Sequence, residues 1–165
     1  MDKAIMDKVI RSPLVVDKVI ASGLGIGYLQ RGGGTVASVA CCLCLYGLRS
    51  PGGTLPVLPA LGVTAGLVGL GLVTAGRVER LWGKDNYRVV IDEVAGMWIS
   101  LLFIPVTVPR LLAGLLLFRL LDIYKPFFIR RAEKLPGGLG VMMDDVLAGL
   151  CANVVLQVLV KFYFL

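Results

Sequence analysis

The sequence predicts an all-α fold: a polytopic membrane helix bundle of about five apolar helices, with amphipathic, interfacial helices at the N-terminus. Three observations predict it. Apolar residues make up 57% of the 165, and mean hydropathy is +0.84, well above an ordinary soluble domain. The apolar residues are gathered into several long runs separated by short segments of Gly, Pro, Lys and Arg. A chain this short also has too little polar surface to hide that much apolar sequence from water. The length fits one domain, residues 1–165, with an interfacial part over 1–30 and the bundle over 31–165.

Residues 1–13 alternate charged and apolar side chains. They lack the apolar core and small-residue cleavage site of a signal peptide, so they are expected to stay in the mature chain. Residues 14–29 are more apolar but hold Asp17, Lys18, Gly23, Gly25 and Gly27, which suits a helix on or entering the interface better than a full span. The run Arg31-Gly32-Gly33-Gly34-Thr35 reads either as a flexible turn or as a phosphate cradle at a helix N-terminus. In the second reading Gly34 offers its backbone, Thr35 is N-cap or phosphate donor, and Ser38 follows one turn on.

Five apolar helices are predicted over 36–48, 55–75, 89–104, 111–124 and 146–164. Turns containing Pro51, Gly52 and Gly53, and Pro105 and Pro109, separate two of the junctions. Gly62, Ala65, Gly66 and Gly69 suit close helix approach. Residues 77–88 read as a polar loop whose Trp82 and Tyr87 fit a membrane interface. If all five helices cross, Thr35, Arg77, Asp92, Glu93, Asp122, Lys125, Asp144 and Asp145 all fall at one face. That face also holds Arg31, Arg80, Lys84, Arg88, Arg130, Arg131 and Lys134, so the positive-inside bias makes it cytoplasmic. Cations that flank apolar runs in this way do not form a nucleic-acid stripe. The first, third and fourth helices are short, roughly 21–24 Å at about 1.5 Å per residue, which places a site near headgroup depth.

Charges among apolar residues are costly unless paired. Arg119, Asp122 and Lys125 stand at i, i+3 and i+6 on one helix face. Asp92-Glu93 and Asp144-Asp145 add four carboxylates at two predicted helix starts. Acids at such positions also serve the helix dipole. Two such pairs with Asp122 and an embedded arginine point further, to a cation site, because clustered carboxylates repel unless a cation neutralises them. Oxygen-only ligands suit Mg²⁺, with Asp92, Glu93, Asp144 and Asp145 as candidate metal ligands. Mg²⁺ beside Arg and Lys suits phosphoryl chemistry. Arg119 and Lys125, with Gly34 and Thr35, are then candidate phosphate-binding groups. Asp122 is the candidate nucleophile or base, with Asp92 and Asp145 also catalytic. The reading is a Mg²⁺-dependent enzyme acting on a phosphorylated lipid at the cytoplasmic face.

Other chemistries are pruned. The chain has no histidine, which excludes a Ser-His-Asp triad and histidine phosphoenzymes. No cysteine has an arginine six residues on, and neither D-x-D-x-T nor D-G-x-x-A-R occurs. Cys41, Cys42, Cys44 and Cys151 lie in apolar runs and read as small packing residues.

The blocks GGGTVAS, KDNYRVVIDEVAGMWISL, FRLLDIYKPFFIRR and GGLGVMMDDVLAG, between about Gly23 and Ala152, resemble the bacterial phosphatidylglycerophosphatase A family in order and spacing. The resemblance implies a Mg²⁺-dependent enzyme of the bacterial cytoplasmic (inner) membrane, hydrolysing phosphatidylglycerophosphate to phosphatidylglycerol and phosphate. It places Asp85, Asp92, Glu93, Asp122, Asp144 and Asp145 on motif acids, Arg119 and Lys125 on motif cations, and Thr35 and Ser38 in the glycine-rich loop. Gly33 and Phe128 stand where the family usually has Pro. The alternatives are a small membrane transporter or a non-enzymatic membrane subunit with a cation-binding acidic cluster. A transport path would spread polar residues through the membrane depth, whereas here they gather at one end.

Overall fold

The computed structural model of the chain describes residues 14–29, 32–50, 52–84 and 86–163. The expectations for residues 1–13, Arg31, Asp85 and Phe164 fall outside them. The described residues are helical, with no strand among them. Helical residues 14–21 (α1) lead through a tight turn and a 3-10 turn, Ile26–Tyr28, into α2 (Gly33–Leu48). Then come α3 (Val57–Trp82), α4 (Ile91–Ser100), α5 (Val108–Tyr124), α6 (Phe127–Ala132) and α7 (Gly138–Tyr163).

α3 and α7 are long and apolar enough to cross a membrane. Their outer faces, and those of α2 and α5, carry large apolar side chains with nothing over them. Leu58 is 81% exposed, Leu43 68% and Val154 63%. An apolar surface of that extent belongs in lipid rather than water.

α7 is the hub, packing against α3, α4, α5 and α6. Its Met142, Ala148, Ala152 and Leu156 are fully buried. α4 is buried along nearly its whole length, from Ala95 to Ser100. Two glycines explain how closely α4 and α7 approach: a Cβ on Gly149 would overlap the Gly96 carbonyl, and one on Gly96 would overlap Phe118 and the Asp145 carbonyl. At the start of α7, Gly138 lies against the Leu72 carbonyl of α3 in the same way.

Several predicted boundaries move. The third helix, expected over 89–104, is helical only from Ile91 to Ser100, about 15 Å. Asn153 of α7 donates to the carbonyls of Ser100 (3.1 Å) and Leu102 (2.8 Å), so the groups freed at this helix end are met by a side chain. The chain continues to the opposite end of the bundle as irregular backbone, where the Val106 N–H donates to the Gly53 carbonyl at 2.6 Å. Leu101, Ile104 and Val106 are buried in protein, the condition under which such backbone is tolerated at membrane depth. The second helix runs past 75 to Trp82, because Val78 is still buried against the bundle and Gly83, at φ 88°, provides the stop. The polar loop predicted from 77 is therefore half helix. The fifth helix starts at Gly138, so Asp144 and Asp145 lie in its second turn rather than ahead of its start. The loop before it contains α6. α2 begins at Gly33 with Gly32 as N-cap at φ 81°, so Thr35 sits inside the first turn and is not the cap.

The N-terminal segment packs on the same end of the bundle. Asp17 receives a hydrogen bond from Arg77 at 3.3 Å, and the Val90 N–H donates to the Ala21 carbonyl at 2.9 Å. Ala21 joins Ala75, Val78 and Ile91 in a buried cluster.

The glycine crossing predicts an asymmetry. Gly149→Ala is expected to cost about 1–3 kcal/mol through overpacking, lowering the thermal midpoint of the detergent-purified protein. Gly62→Ala, which meets nothing within 4 Å, is expected to leave the midpoint unchanged or raise it.

Candidate active site

The start of α4 and the second turn of α7 carry the same local pattern, Asp-x-x-Ala-Gly: Asp92 to Gly96 and Asp145 to Gly149. Each glycine stands one turn beyond its aspartate, on the same helix face. Where the glycines let the backbones touch, the aspartates one turn earlier are carried towards each other. The carboxylates of Asp92, Glu93 and Asp145 each offer an oxygen, and these oxygens lie within 4.8 Å of one another. Glu93 and Asp145, 52 positions apart in the chain numbering, thus share one small volume.

α2 closes this volume from one side. A Cβ on Gly34 would overlap the Glu93 carboxylate and stand 3.2 Å from Arg119 Nη1. Glycine at 34 is thus a matter of space, because the first turn of α2 lies directly on the glutamate. Thr35, next in the turn, is exposed, and Ser38 donates back to the Gly34 carbonyl at 2.9 Å.

α5 contributes the cations from its C-terminal end. Arg119 Nη1 is 2.6 Å from Asp122 Oδ2 and 3.9 Å from Glu93 Oε1. Asp122 in turn stands beside Asp145. Lys125 caps α5 in the left-handed region at φ 42°, a strained conformation for a non-glycine residue. Pro126 follows and disfavours continuing the helix. That turn brings Lys125 Nζ to 2.7 Å from Asp144 Oδ2 and 3.6 Å from Glu133 Oε2. Burial by itself lowers the affinity of this amine for its proton. The hydrogen bond and charge of Asp144, with Glu133 and Asp145 behind, outweigh burial and raise its pKa, so it stays cationic.

Arg119, Asp122 and Lys125 therefore do share a face, and that face meets both acidic pairs. Asp144 differs from its neighbour: its carboxylate turns to Lys125, while Asp145 joins Asp92 and Glu93. Three polar atoms here are buried without a hydrogen-bond partner, namely Glu93 Oε2, Arg119 Nε and Asp144 Oδ1. Orphaned donors and acceptors of both signs in one place call for a ligand that has both anionic oxygens and a cation. An oxygen-only trio of carboxylates is also the donor chemistry that Mg²⁺ takes.

Four contributing residues escaped the sequence reading. Glu133 looked like one charge among several in a basic loop, and nothing local marks it as the partner of Lys125. Asn153 looked like an isolated polar residue in an apolar helix. Gly96 and Gly149 did leave a signal, the repeated Asp-x-x-Ala-Gly pattern.

The sequence matches the family described as phosphatidylglycerophosphatase A over residues 19–160. Among similar proteins is one from Bacteroides thetaiotaomicron, provisionally named phosphatidylinositol-3-phosphatase. It is 36% identical over 90% of this chain and 96% of its own. The phosphatidylglycerophosphatase A of Haemophilus influenzae is 37% identical over 83% of this chain and 84% of its own. That of Escherichia coli is 42% identical over 39% of each chain. No solved structure matches. A single-domain family match spanning the helices that build the acidic site, α2 to α7, shows that this chain belongs to the phosphatidylglycerophosphatase A family of enzymes, which hydrolyse a phosphate monoester.

Proposed function

We propose that this protein hydrolyses phosphatidylglycerophosphate to phosphatidylglycerol and phosphate, with Mg²⁺, at the cytoplasmic face of a bacterial cytoplasmic membrane. The observation that carries the reading is the trio of half-buried Asp92 and Glu93 with buried Asp145, flanked by Arg119 and Lys125 at one end of an apolar bundle. Among the described residues, Arg77, Arg80, Lys84, Arg88, Arg130, Arg131 and Lys134 cluster on the segments at that end, and Arg49, Arg110 and Lys161 lie on those at the other. This asymmetry supports a cytoplasmic site. The alternating chain direction supports five passes: α2, α3, α4 continued by 101–107, α5 and α7.

Asp92, Glu93 and Asp145 would hold the metal, with Asp144 adjoining through Lys125. Bound there, Mg²⁺ would offset the repulsion among the carboxylates and polarise a phosphoryl oxygen. The residues themselves do the rest. Arg119, through its unpartnered Nε, and Lys125 bind nonbridging oxygens of the phosphomonoester. The first turn of α2, which carries Gly34 and Thr35, adds a dipole of favourable sign for an anion. Asp122 is the nucleophile or the base, its orientation set by Arg119. The low dielectric around these charges strengthens each interaction.

A transporter or a purely structural subunit fits less well, because the described acids of this cluster gather at one end of the bundle. The name of the Bacteroides relative brings in a second lipid, a phosphorylated inositol headgroup, and it belongs in the same assay.

Purified protein in mixed micelles is expected to release phosphate from phosphatidylglycerophosphate in the presence of Mg²⁺ and to stop on chelation. Faster release from phosphatidylinositol 3-phosphate would move the substrate assignment to that lipid. No release from either would remove the enzymatic reading. Asp122→Asn is expected to lower kcat by about 10²–10⁴, the range of a general acid or base. Near-normal turnover would take that role from Asp122. Independently of activity, saturating Mg²⁺ is expected to stabilise the native protein by about 2.7 kcal/mol at a hundredfold excess over Kd, read as a higher thermal midpoint, and to leave the midpoint of Asp145→Asn unmoved. An equal shift in both would place the ion elsewhere.

A further inference from the structure

The site described above accounts for the headgroup of a lipid and leaves its acyl chains unplaced. Between α2 and α5 lies an apolar cavity of about 400 Å³, lined by Val39, Cys42 and Tyr46 on one side and Leu111, Leu112 and Leu115 on the other. Its register ties it to the active site. On α2 the stripe Tyr46, Cys42, Val39 continues at helical spacing to Thr35, and on α5 the stripe Leu112, Leu115 continues to Arg119 and Asp122. On α5 the cavity and Arg119 therefore share one continuous face, and on α2 the cavity face runs on to the first turn, beside the site.

We infer that this cavity seats one acyl chain of the lipid substrate while its phosphate lies on Arg119. The inference rests on the lipid-phosphatase reading and deepens it to the apolar part of the substrate. Length supports it. From Arg119 back to Val108, another lining residue, α5 covers about 16 Å, close to one leaflet of a roughly 30 Å hydrocarbon core. Chemistry supports it as well, since every lining side chain near the middle of the groove is apolar and a hydrocarbon chain asks for no hydrogen bond. Cys42 and Leu111 form a buried floor, while Leu43 and Leu112 are exposed on the outer rims. A chain can therefore enter sideways from the bilayer without leaving it. Tyr46 stands at the far end with the Arg49 guanidinium 3.4 Å from its ring centroid, a stop that sets the length of chain the groove takes.

The test compares dihexadecanoyl with dihexanoyl phosphatidylglycerophosphate, for binding and for turnover, in the full-length protein. Val39→Trp fills the groove from α2, Leu112→Trp fills it from α5, and Leu58→Trp adds the same bulk to the lipid-facing surface of α3 outside it. Each groove variant is expected to raise Kd and KM for the long-chain lipid about tenfold relative to the short-chain one, the pattern of lost ground-state binding. Leu58→Trp is expected to leave that ratio unchanged. An unchanged ratio in both groove variants, or an equal change in Leu58→Trp, overturns the inference. A variant that fails to fold loses binding of both lipids and its thermal transition, and the other groove variant then decides. If the native protein releases no phosphate from either lipid, the phosphatase reading fails, and the binding ratio still decides the groove.

Discussion

Three carboxylates held within 4.8 Å of one another in an apolar bundle repel strongly, and the rest of the structure is arranged around supporting them. Like charges this close raise each other's energy, and burial adds a desolvation cost that water cannot relieve. Arg119 and Lys125 offset part of this from the end of α5. The remainder is left open, as the orphaned atoms of Glu93, Arg119 and Asp144 show. Among the described residues the site is thus left with its electrostatic balance incomplete.

The scaffold holds this arrangement by contact between backbones. At the α4–α7 crossing, glycine meets glycine, so neither helix can draw away without opening a void or slide without a clash. The aspartates one turn earlier inherit that precision. Because α4 is short and enclosed, its acidic start sits at the end of the bundle with protein on nearly every side. The capping of its other end by Asn153 lets the chain leave the helix inside the bundle without stranding backbone carbonyls.

The same geometry connects polar chemistry to the lipid phase. α5 presents Arg119 and Asp122 at one end of a face and hydrocarbon-like surface along the remainder, and α2 lies beside it with its first turn against Glu93. A substrate with a phosphate at one end and acyl chains at the other matches that division along its own length. On the proposed reading, hydrolysis of such an ester needs no extraction of the lipid from the bilayer, because headgroup and chain are each met where they already lie.

The sequence by itself determined the all-helical class and the phosphatase family. Five apolar runs, no histidine, and charges such as Asp92, Arg119 and Asp145 where charges are expensive were enough to predict a helical membrane enzyme with a carboxylate site. Those features are legible because composition and helical period act over neighbouring residues. Only the tertiary structure decided the partnerships. It separated Asp144, on Lys125, from Asp145, beside Asp92 and Glu93; the two are adjacent in sequence, and about 100° of helix rotation sends them to different partners. It stopped the third helix at Ser100, where the apolar run continues, because Asn153, far along the chain, donates to the Ser100 and Leu102 carbonyls. It also joined Lys125 to Glu133, and Gly34 to Glu93. Such choices depend on which surfaces meet across long stretches of chain, and local pattern carries no record of them.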